Sequence, residues 1–187
     1  MATAAPEAGF IPRDLELRDG LRVTVRAVRP EDRDEVQAFL KRLSEESRYS
    51  RFMSPLRELS PVMLERAVHP EQGRELQLIA LSREGARQTI AGGARYSAAA
   101  GSKDCEFALT VADDWQGRGL ARQLLEALMA AARAEGFVSM EGYILASNAR
   151  MLGLARRLGF ERIESPEGPT VCLVRRDLSG LLFDELQ

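Results

Sequence analysis

Residues 106–121 read EFALTVADDWQGRGLA, and this stretch decides the fold that we expect. Residues 106–111 are typical of a strand, residues 112–115 of a short acidic turn, and residues 116–121 open a long amphipathic helix. The first N–H groups of a helix have no partner within it, and the helix dipole places partial positive charge there. Gly117 and Gly119 lack side chains, so a phosphate group could approach this backbone closely.

The glycine spacing alone also fits a plain turn that caps an ordinary helix. The segment is not a Walker loop, because no Gly-Lys-Ser/Thr sequence follows it. It is not the Rossmann fingerprint either, since Arg122 stands where the third small residue should be. Arg118 and Arg122 do add positive charge near the helix start. A phosphate site and a simple helix cap are therefore both open on the residues of this segment alone.

Composition excludes several classes of function. The chain has 187 residues and a formal charge of -2, so no global field favours nucleic acid or a membrane surface. No apolar run approaches the ~20 residues that span a bilayer. The single histidine, His69, argues against a histidine-rich metal site, and we expect no metal. Cys105 and Cys172 lie in apolar stretches and are interpreted as buried thiols in a reducing cytoplasm.

The order of predicted elements is β-α-α-β-β-β-α-β-α-β-β, a mixed α/β layout with a mostly antiparallel sheet. Residues 44–53 are interpreted as loop with a short helical turn. We expect a flexible leader over residues 1–17 and one domain over residues 18–187, with its core over 21–175 and a tail over 176–187. An apolar element around Leu181, Leu182 and Phe183 could pack on the body or on a second subunit, so a homodimer is open.

Two motifs carry a family resemblance. Residues 116–121, preceded by Val111 and the acidic turn, resemble the acetyl-CoA pyrophosphate loop of the GNAT superfamily, pattern Q/R-x-x-G-x-G/A. Residues 148–160 resemble its second hallmark, a helix that begins at Asn and ends in Leu-Gly-Phe. The resemblance covers roughly residues 21–175 and is strongest to the bacterial protein-lysine acetyltransferase (Pat-like) branch. It implies the acyl-CoA N-acyltransferase fold, with central strands 106–111 and 138–145 splayed apart.

The resemblance also implies acetyl-CoA as cosubstrate, with its pantetheine arm between the splayed strands. Backbone groups of Leu109 and Val111, with Thr110 between them, would pair with the pantetheine amides. Asn148 would reach the pantetheine or pyrophosphate region. The sequence departs from many family members at Ala155, where they carry a tyrosine that protonates the leaving thiolate. Backbone N–H groups would hold the pyrophosphate along one run of residues: Gln116, Gly117, Arg118, Gly119, Leu120 and Ala121.

Acetyl transfer to an amine requires a neutral amine, whereas a lysine amine with a pKa of ~10.4 is mostly protonated near pH 7. A positioned base meets that need. Glu106 is the candidate, since a carboxylate flanked by Cys105, Phe107 and Ala108 should have a raised pKa. The Pat-like branch also has a Glu base on the equivalent strand. The alternative is that Glu106 faces solvent and pairs with an arginine.

The acceptor site is the part that sequence defines least. Residues 47–54 resemble the Ser-Arg-Tyr-x-Arg-Phe-x-Ser segment of the Pat-like branch, in which Arg48, Tyr49 and Phe52 would shape the acceptor wall. Tyr49 and Phe52 could equally be core anchors. Glu141 and Tyr143 are second-line candidates for acceptor contact. We predict acetyl transfer to a primary amine by direct attack in a ternary complex, with a protein lysine as acceptor. A small-molecule amine, or a non-catalytic acetyl-CoA sensor, is the alternative.

Overall fold

The computed structural model describes residues 10–84 and 87–180. This part of the chain contains eight strands and five α-helices. The strands are β1 (Arg13–Glu16), β2 (Arg22–Ala27), β3 (Glu75–Glu84), β4 (Arg87–Ser97), β5 (Asp104–Val111), β6 (Ser139–Leu145), β7 (Glu161–Ile163) and β8 (Val171–Asp177). The helices are α1 (Arg33–Arg42), α2 (Glu45–Phe52), α3 (Pro61–Val68), α4 (Leu120–Ala134) and α5 (Ala149–Arg157).

The strands form one sheet in the order β1-β2-β3-β4-β5-β6-β8-β7. β5 and β6 are parallel, and the other neighbouring strands are antiparallel. β5 pairs with β6 only from Asp104, opposite Ser139, to Glu106, opposite Glu141. Beyond that point the two strands separate, and we call the opening between residues 107–111 and 142–145 the strand gap. The mixed, mostly antiparallel fold expected from sequence is therefore confirmed.

The two faces of the sheet are packed differently. α4 and α5 cover one face, where one large apolar cluster contains Leu124, Leu125 and Leu128, each fully buried. α1, α2 and α3 cover the other face, where the buried residues form two smaller, separate clusters. Successive residues of a strand point to opposite faces. The strand gap thus lies between one continuous apolar core on the α4 and α5 side and two smaller apolar clusters on the side of α1, α2 and α3.

The predicted leader is too long. Arg13–Glu16 forms β1, which pairs antiparallel with β2, and Leu17 is 3% exposed. Residues 13–17 therefore belong to the folded domain rather than to a flexible segment. At the other end, β8 continues to Asp177 and Leu178 is fully buried, so the core also extends past residue 175. The apolar element expected around residues 181–183 lies outside the described residues.

Where a loop with a short helical turn was expected over residues 44–53, the chain forms the eight-residue helix α2 (Glu45–Phe52). The Ser44 hydroxyl accepts a hydrogen bond from the Ser47 backbone N–H at 3.1 Å and caps α2. Glu45 and Glu46 lie in the first turn, where negative charge interacts favourably with the helix dipole. The helix ends at Met53, which adopts a left-handed conformation with φ of 51°. Local capping and charge, rather than an apolar stripe, specify this helix.

The described residues include two buried thiols, and they contain neither a cluster of metal ligands nor a membrane-spanning helix. Cys105 and Cys172 are free and buried, as expected from their apolar surroundings. Within residues 10–84 and 87–180, no three His, Cys, Asp or Glu side chains converge in a way that could bind a metal ion. In the same part of the chain, no helix combines the length and the apolar character needed to cross a bilayer.

Gly142 allows β6 to lie against the ring of Phe107. A Cβ atom at residue 142 would lie 2.4 Å from Cε1 of Phe107, whose ring is buried and packs edge-on against Phe160 at 5.2 Å between centroids. We expect Gly142→Ala to lower the free energy of unfolding by about 1–3 kcal/mol, because the core cannot absorb the methyl group. Urea denaturation measures this loss.

Gly153→Ala is the matched control for that prediction. A Cβ at residue 153, in α5, would meet only the guanidinium of Arg157 at 3.5 Å, an ordinary contact. Alanine favours a helix interior over glycine by about 0.5–1 kcal/mol, so this variant should be neutral or more stable. Equal stability losses in the two variants would show that contact with Phe107 does not explain Gly142.

Candidate active site

The strand gap exposes a backbone edge of β5. On its other side β5 stays paired with β4 as far as Val111. Toward β6, residues 107–111 pair with none of the described strands, although the Gln116 side-chain amide donates to the Val111 carbonyl oxygen at 3.3 Å. Free N–H and C=O groups on a strand edge can bind an extended ligand through main-chain hydrogen bonds. Leu109 and Thr110, predicted with Val111 to bind pantetheine, lie on this edge.

The loop after β5 presents backbone N–H groups at the start of α4. Gly117 and Gly119 have left-handed φ values of 78° and 91°. Within the described chain, the N–H groups of Gly117, Arg118 and Gly119 donate to no protein acceptor. Leu120 is the first residue of α4 and is buried, and Ala121 follows it in the first turn. Unpaired N–H groups and the positive helix end together fit a diphosphate.

The side chain of Arg118 binds protein groups rather than pointing away from them. Its guanidinium donates to the Asp19 carboxylate and, through Nε, to the Asp114 carbonyl oxygen at 3.1 Å. It also lies 5.4 Å from the centroid of the Trp115 ring. These contacts tie the glycine loop to the turn between β1 and β2. A contribution of Arg118 to phosphate binding would therefore come from its backbone N–H.

Asn148 and Ala155 occupy the two hallmark positions of α5. The side-chain oxygen of Asn148 accepts a hydrogen bond from the Met151 N–H at 3.0 Å, so it caps the helix. Its NH₂ group is the part of the side chain that could contact a ligand. Ala155 is fully buried in the large apolar cluster. No acid can come from that position, and a larger polar side chain there would need space that the core does not offer.

Glu106 stands at the point where the sheet divides. It is opposite Glu141 in the last parallel pair between β5 and β6. Both side chains lie on the face of the sheet that α1, α2 and α3 cover. Its sequence neighbours Cys105 and Phe107 are buried on the opposite face. The apolar residues that flank Glu106 in sequence therefore do not surround its carboxylate. The carboxylate remains accessible from the face that α1, α2 and α3 cover.

The pKa of Glu106 is raised above that of an ordinary carboxyl group. Partial burial of the carboxylate is the largest cause, and the negative charge of Glu141 adds to it. The guanidiniums of Arg95 and Arg51 act in the opposite direction and lower the pKa. The sequence predicted a raised pKa for Glu106, and this direction is correct. The shift comes, however, from residues that the fold brings near the carboxylate rather than from its neighbours in the chain. A carboxylate with a raised pKa is a better proton acceptor near neutral pH.

Tyr143 lies on β6 beyond the last parallel pair, on the same face as Glu141. Burial raises the pKa of its phenol, and the charges of Glu141, Glu106 and Glu167 raise it further. Tyr143 therefore keeps its proton at neutral pH and can donate a hydrogen bond. Glu141 and Tyr143 lie side by side along the β6 border of the strand gap.

The three residues expected to shape the acceptor wall lie in different surroundings on α2. The Arg48 guanidinium donates to the Leu43 carbonyl oxygen and holds the end of α1. Tyr49 is 47% exposed, so the interpretation of Tyr49 as a core anchor is wrong. Phe52 packs with Leu40 and Leu43 in one of the two smaller clusters. Phe52 also lines the cavity described next, which Arg48 and Tyr49 do not.

A cavity of about 400 Å³ lies between the α1–α3 layer and the sheet, and we call it the helical cavity. Arg51 and Arg95 line it, and sequence reasoning selected neither of them. Arg51 belongs to the segment that resembles the acceptor wall, so that resemblance could have drawn attention to it. Arg95, an ordinary polar residue of a strand, gives no sequence signal. Ala108 and Thr110 supply the β5 side of the cavity.

Asp113 joins the start of α2 to the cofactor loop. Its carboxylate accepts hydrogen bonds from the Ser44 N–H at 2.8 Å, the Ser44 hydroxyl at 2.6 Å and the Ser47 hydroxyl at 2.8 Å. The Gln116 amide donates to the Ser47 hydroxyl at 3.2 Å, which extends the link into the loop. These bonds hold the helix that carries Arg51 against the loop that is expected to bind the diphosphate.

We expect Asp113→Asn to lower the free energy of unfolding by about 1 kcal/mol at pH 7, allowing for the exposure of this site. Burial alone would raise the pKa of Asp113, but the hydrogen bonds from Ser44 and Ser47 outweigh it and lower the pKa. This contribution is present above the unfolded pKa of ~3.9 and is lost as pH falls through the folded value. Denaturation at pH 7 and pH 3 should show the difference from wild type shrinking in acid.

Asp114→Asn is the control for that experiment, since within the described chain its carboxylate forms no hydrogen bond or ion pair. It removes the same charge one residue away and should leave the free energy of unfolding within about 0.5 kcal/mol of wild type. If Asp114→Asn destabilised the fold as much as Asp113→Asn, general charge rather than the link to α2 would explain the effect.

Comparison with known proteins identifies similar acetyltransferases. The model of the acetyltransferase (GNAT) domain family matches residues 22–161. An acetyltransferase of Pseudomonas aeruginosa is 35% identical over 159 residues, which cover 85% of this chain and 86% of that protein. The L-methionine sulfoximine/L-methionine sulfone acetyltransferase of the same species is 50% identical over 56 residues, which cover 30% of this chain and 33% of that protein.

A solved structure shows the same fold. The GNAT domain of S. lividans PAT superposes with a TM-score of 0.82 at 29% sequence identity, covering 89% of this chain and 96% of that one. The family match spans both the strand that borders the gap and the glycine loop at the start of α4. This chain belongs to the GNAT superfamily of N-acetyltransferases.

Proposed function

We propose that the protein transfers an acetyl group from acetyl-CoA to a primary amine by direct attack in a ternary complex. One observation carries the proposal: β5 connects three features that this reaction requires. Glu106 lies at the branch point, residues 107–111 present a free backbone edge, and the strand leads into unpaired N–H groups at the start of α4. A base, a site for an extended chain and an anion site are thereby aligned.

The residues predicted from sequence have defined roles in this proposal. The edge containing Leu109, Thr110 and Val111 binds the pantetheine arm through main-chain hydrogen bonds. The NH₂ group of Asn148 contacts the pantetheine or pyrophosphate from α5. Acetyl-CoA supplies the acetyl group as an activated thioester. The N–H groups of the loop hold the diphosphate, from Gln116 through Gly117, Arg118, Gly119 and Leu120 to Ala121.

Glu106 is proposed as the general base. The amine nitrogen forms a bond to the acetyl carbon while the bond from that carbon to sulfur breaks. One amine proton passes to Glu106, directly or through a water, and the sulfur leaves with the bonding electron pair. The thiolate then takes a proton from solvent, since Ala155 offers no acid. Tyr143, a neutral phenol on the border of the strand gap, is proposed to contact the acceptor with Glu141.

Two acceptor classes follow from different observations. The resemblance to the Pat-like branch predicts a protein lysine, and the match to the S. lividans PAT domain agrees with that branch. The helical cavity favours the alternative, a small amine, because a space of about 400 Å³ suits a small molecule. The relative named for methionine sulfoximine and methionine sulfone also supports a small acceptor.

Release of free thiol from acetyl-CoA tests the proposal. We expect release that depends on both acetyl-CoA and an amine, measured with a panel of small amines and with lysine-containing peptides. Release with peptides only would favour a protein lysine as acceptor. Release with small amines only would favour a small-molecule acceptor. Binding of acetyl-CoA without release by any amine would favour the non-catalytic sensor and overturn the enzymatic proposal.

The remaining expectations concern setting and assembly. We propose that residues 18–187 act with β1 as a single catalytic domain, since all described strands share one sheet. We also propose a cytoplasmic setting, which suits two free, buried cysteines. Homodimer formation stays open and can be tested by sedimentation of the full chain. Neither nucleic acid nor a membrane is proposed as a partner, because the net charge is only -2.

A further inference from the structure

The helical cavity is lined by residues of both apolar clusters on this face of the sheet. Val68, Ile79 and Ile90 belong to one cluster, and Leu40 and Leu43 belong to the other. On the opposite face of the same sheet the core is continuous. Protein interiors are close-packed, with few voids larger than a water molecule. A space of about 400 Å³ between two clusters is therefore large enough to be a binding site rather than a packing defect.

Arg51 is a mostly buried cation in this cavity. Within the described chain it forms no ion pair or hydrogen bond, and its guanidinium stacks on Phe52 at 4.7 Å from the ring centroid. Burial and the charge of Arg95 lower the pKa of Arg51 to about 10, and Glu106 only partly opposes this. A guanidinium that faces a mainly apolar cavity without a hydrogen-bond acceptor is in an unfavourable setting, even though Glu106 supplies a nearby negative charge. An anion in the cavity would accept hydrogen bonds from Arg51.

Arg95 and Arg66 share a single carboxylate. Glu75 lies 3.2 Å from Nη2 of Arg95 and 3.8 Å from Nη2 of Arg66. Both arginines line the cavity, and the Arg66 side chain is 76% exposed, which places it toward solvent. The polar part of the lining thus has more positive than negative groups. The rest of the lining is mainly apolar and includes Phe39, Leu59, Met63 and Ile79.

The arginines lie close to the proposed base. Arg51 and Arg95 both lower the pKa of Glu106, which requires their charges to be near its carboxylate. Ala108, two residues beyond Glu106 and on the same face of β5, lines the cavity. A ligand whose anionic group meets the guanidiniums and whose amine approaches Glu106 must carry the two groups close together. An α-amino acid has its amine and carboxylate on one carbon.

We infer that the helical cavity binds the acceptor, and that this acceptor is an α-amino acid with an apolar side chain. Its carboxylate binds Arg51, its amine faces Glu106, and its side chain lies among the apolar residues of α1 and α3. Arg51 is thereby a specificity-determining residue. This inference rests on the proposed function, because it assigns the amine in that reaction. A lysine side chain brings no anion to Arg51.

Calorimetric binding to the full-length protein without acetyl-CoA tests the site separately from the reaction. The probes are L-leucine, L-leucinamide, which lacks the carboxylate, and isopentylamine, which lacks both the carboxylate and the carbonyl group. We expect L-leucine to bind at least about tenfold more tightly than the other two, the effect of one hydrogen-bonded charge. Acetylation of the same three amines, followed by thiol release, should show the same preference.

Arg51→Met and Arg57→Met form a matched pair for this experiment. Each removes one positive charge from the segment that follows α1, but Arg57 is exposed and lies outside the cavity lining. Arg51→Met should weaken L-leucine binding about tenfold to a hundredfold, whereas Arg57→Met should bind like wild type. Ala67→Phe, which fills the cavity from α3, should abolish binding, and thermal unfolding of all three variants should confirm that they fold.

The remaining outcomes distinguish failure of the amino-acid assignment from failure of the proposed acetyl transfer. Equal binding of L-leucine and L-leucinamide, or unchanged binding in a folded Arg51→Met variant, would overturn the amino-acid assignment. Acetylation of lysine peptides without binding of L-leucine would also overturn it and would leave the proposed enzyme intact. Selective binding of L-leucine that is never acetylated would overturn the inference that the cavity ligand is the acceptor, and only the absence of acetylation with every amine tested would overturn the proposed acetyl transfer.

Discussion

Glu106→Gln is expected to lower the turnover number by roughly 10²–10⁴-fold while leaving the affinity for acetyl-CoA unchanged. The substitution keeps the shape of the side chain and removes its ability to accept a proton. The cofactor edge begins one residue later, and the loop N–H groups lie further along the chain, so neither should change. Steady-state rates and calorimetric binding of acetyl-CoA separate the two effects. Unchanged turnover would remove Glu106 from the mechanism.

The pH profile provides a second readout for Glu106. The base must be ionised, so the rate should rise with pH through the pKa of Glu106, which is raised above the ordinary carboxyl range by burial and by Glu141. Glu141→Gln should shift this limb to lower pH, because it removes a charge that raises the pKa. Glu106→Gln should lack the limb altogether. A limb that persisted in Glu106→Gln would belong to another group.

Gly119→Val is expected to weaken acetyl-CoA binding by about 5–150-fold, the effect of about 1–3 kcal/mol. Gly119 precedes α4 with φ of 91°, a conformation that is a genuine outlier for a β-branched residue. A Cβ there would also approach Nε of Arg18 at 3.4 Å. The loop must relax to a different conformation, which turns its N–H groups away from the diphosphate. Binding is measured calorimetrically.

Gly101→Val provides the control for backbone strain. Gly101 has φ of 75°, and a Cβ there would meet no atom of the described residues within 4 Å. It lies between β4 and β5, outside the loop that precedes α4. This variant should lose a similar amount of stability and keep wild-type affinity for acetyl-CoA. Equal affinity in both variants would contradict the role of the loop as the diphosphate site.

The fold was predictable where apolar periodicity is strong. The strand pattern of residues 106–111 identified β5, and the amphipathic pattern that begins at residues 116–121 identified α4. α2 was missed because its specification is polar: a serine cap, two acidic residues and a distant carboxylate from Asp113. β1 was missed because its four residues are mostly exposed, and its pairing with β2 is a tertiary contact.

The candidate site divides in the same way. Residues adjacent in the chain, such as the loop around Gly117 and the cap Asn148, could be selected from local pattern and family resemblance. Glu106 could be selected as a carboxylate beside that loop. Arg51 and Arg95 could not be linked to Glu106 from sequence, since they come from α2 and β4. Their charges act on Glu106 only because the fold brings them to the same face of the sheet.

The sequence by itself determined the order of most elements, the glycine loop at a helix start and the presence of a carboxylate on the strand before it. These features depend on hydrogen bonds and side-chain patterns within a few residues of one another. Only the tertiary structure decided where β5 leaves β6, why the pKa of Glu106 rises, and which arginines line a cavity. Those properties depend on distances between elements far apart in the chain, because charge and burial act through space.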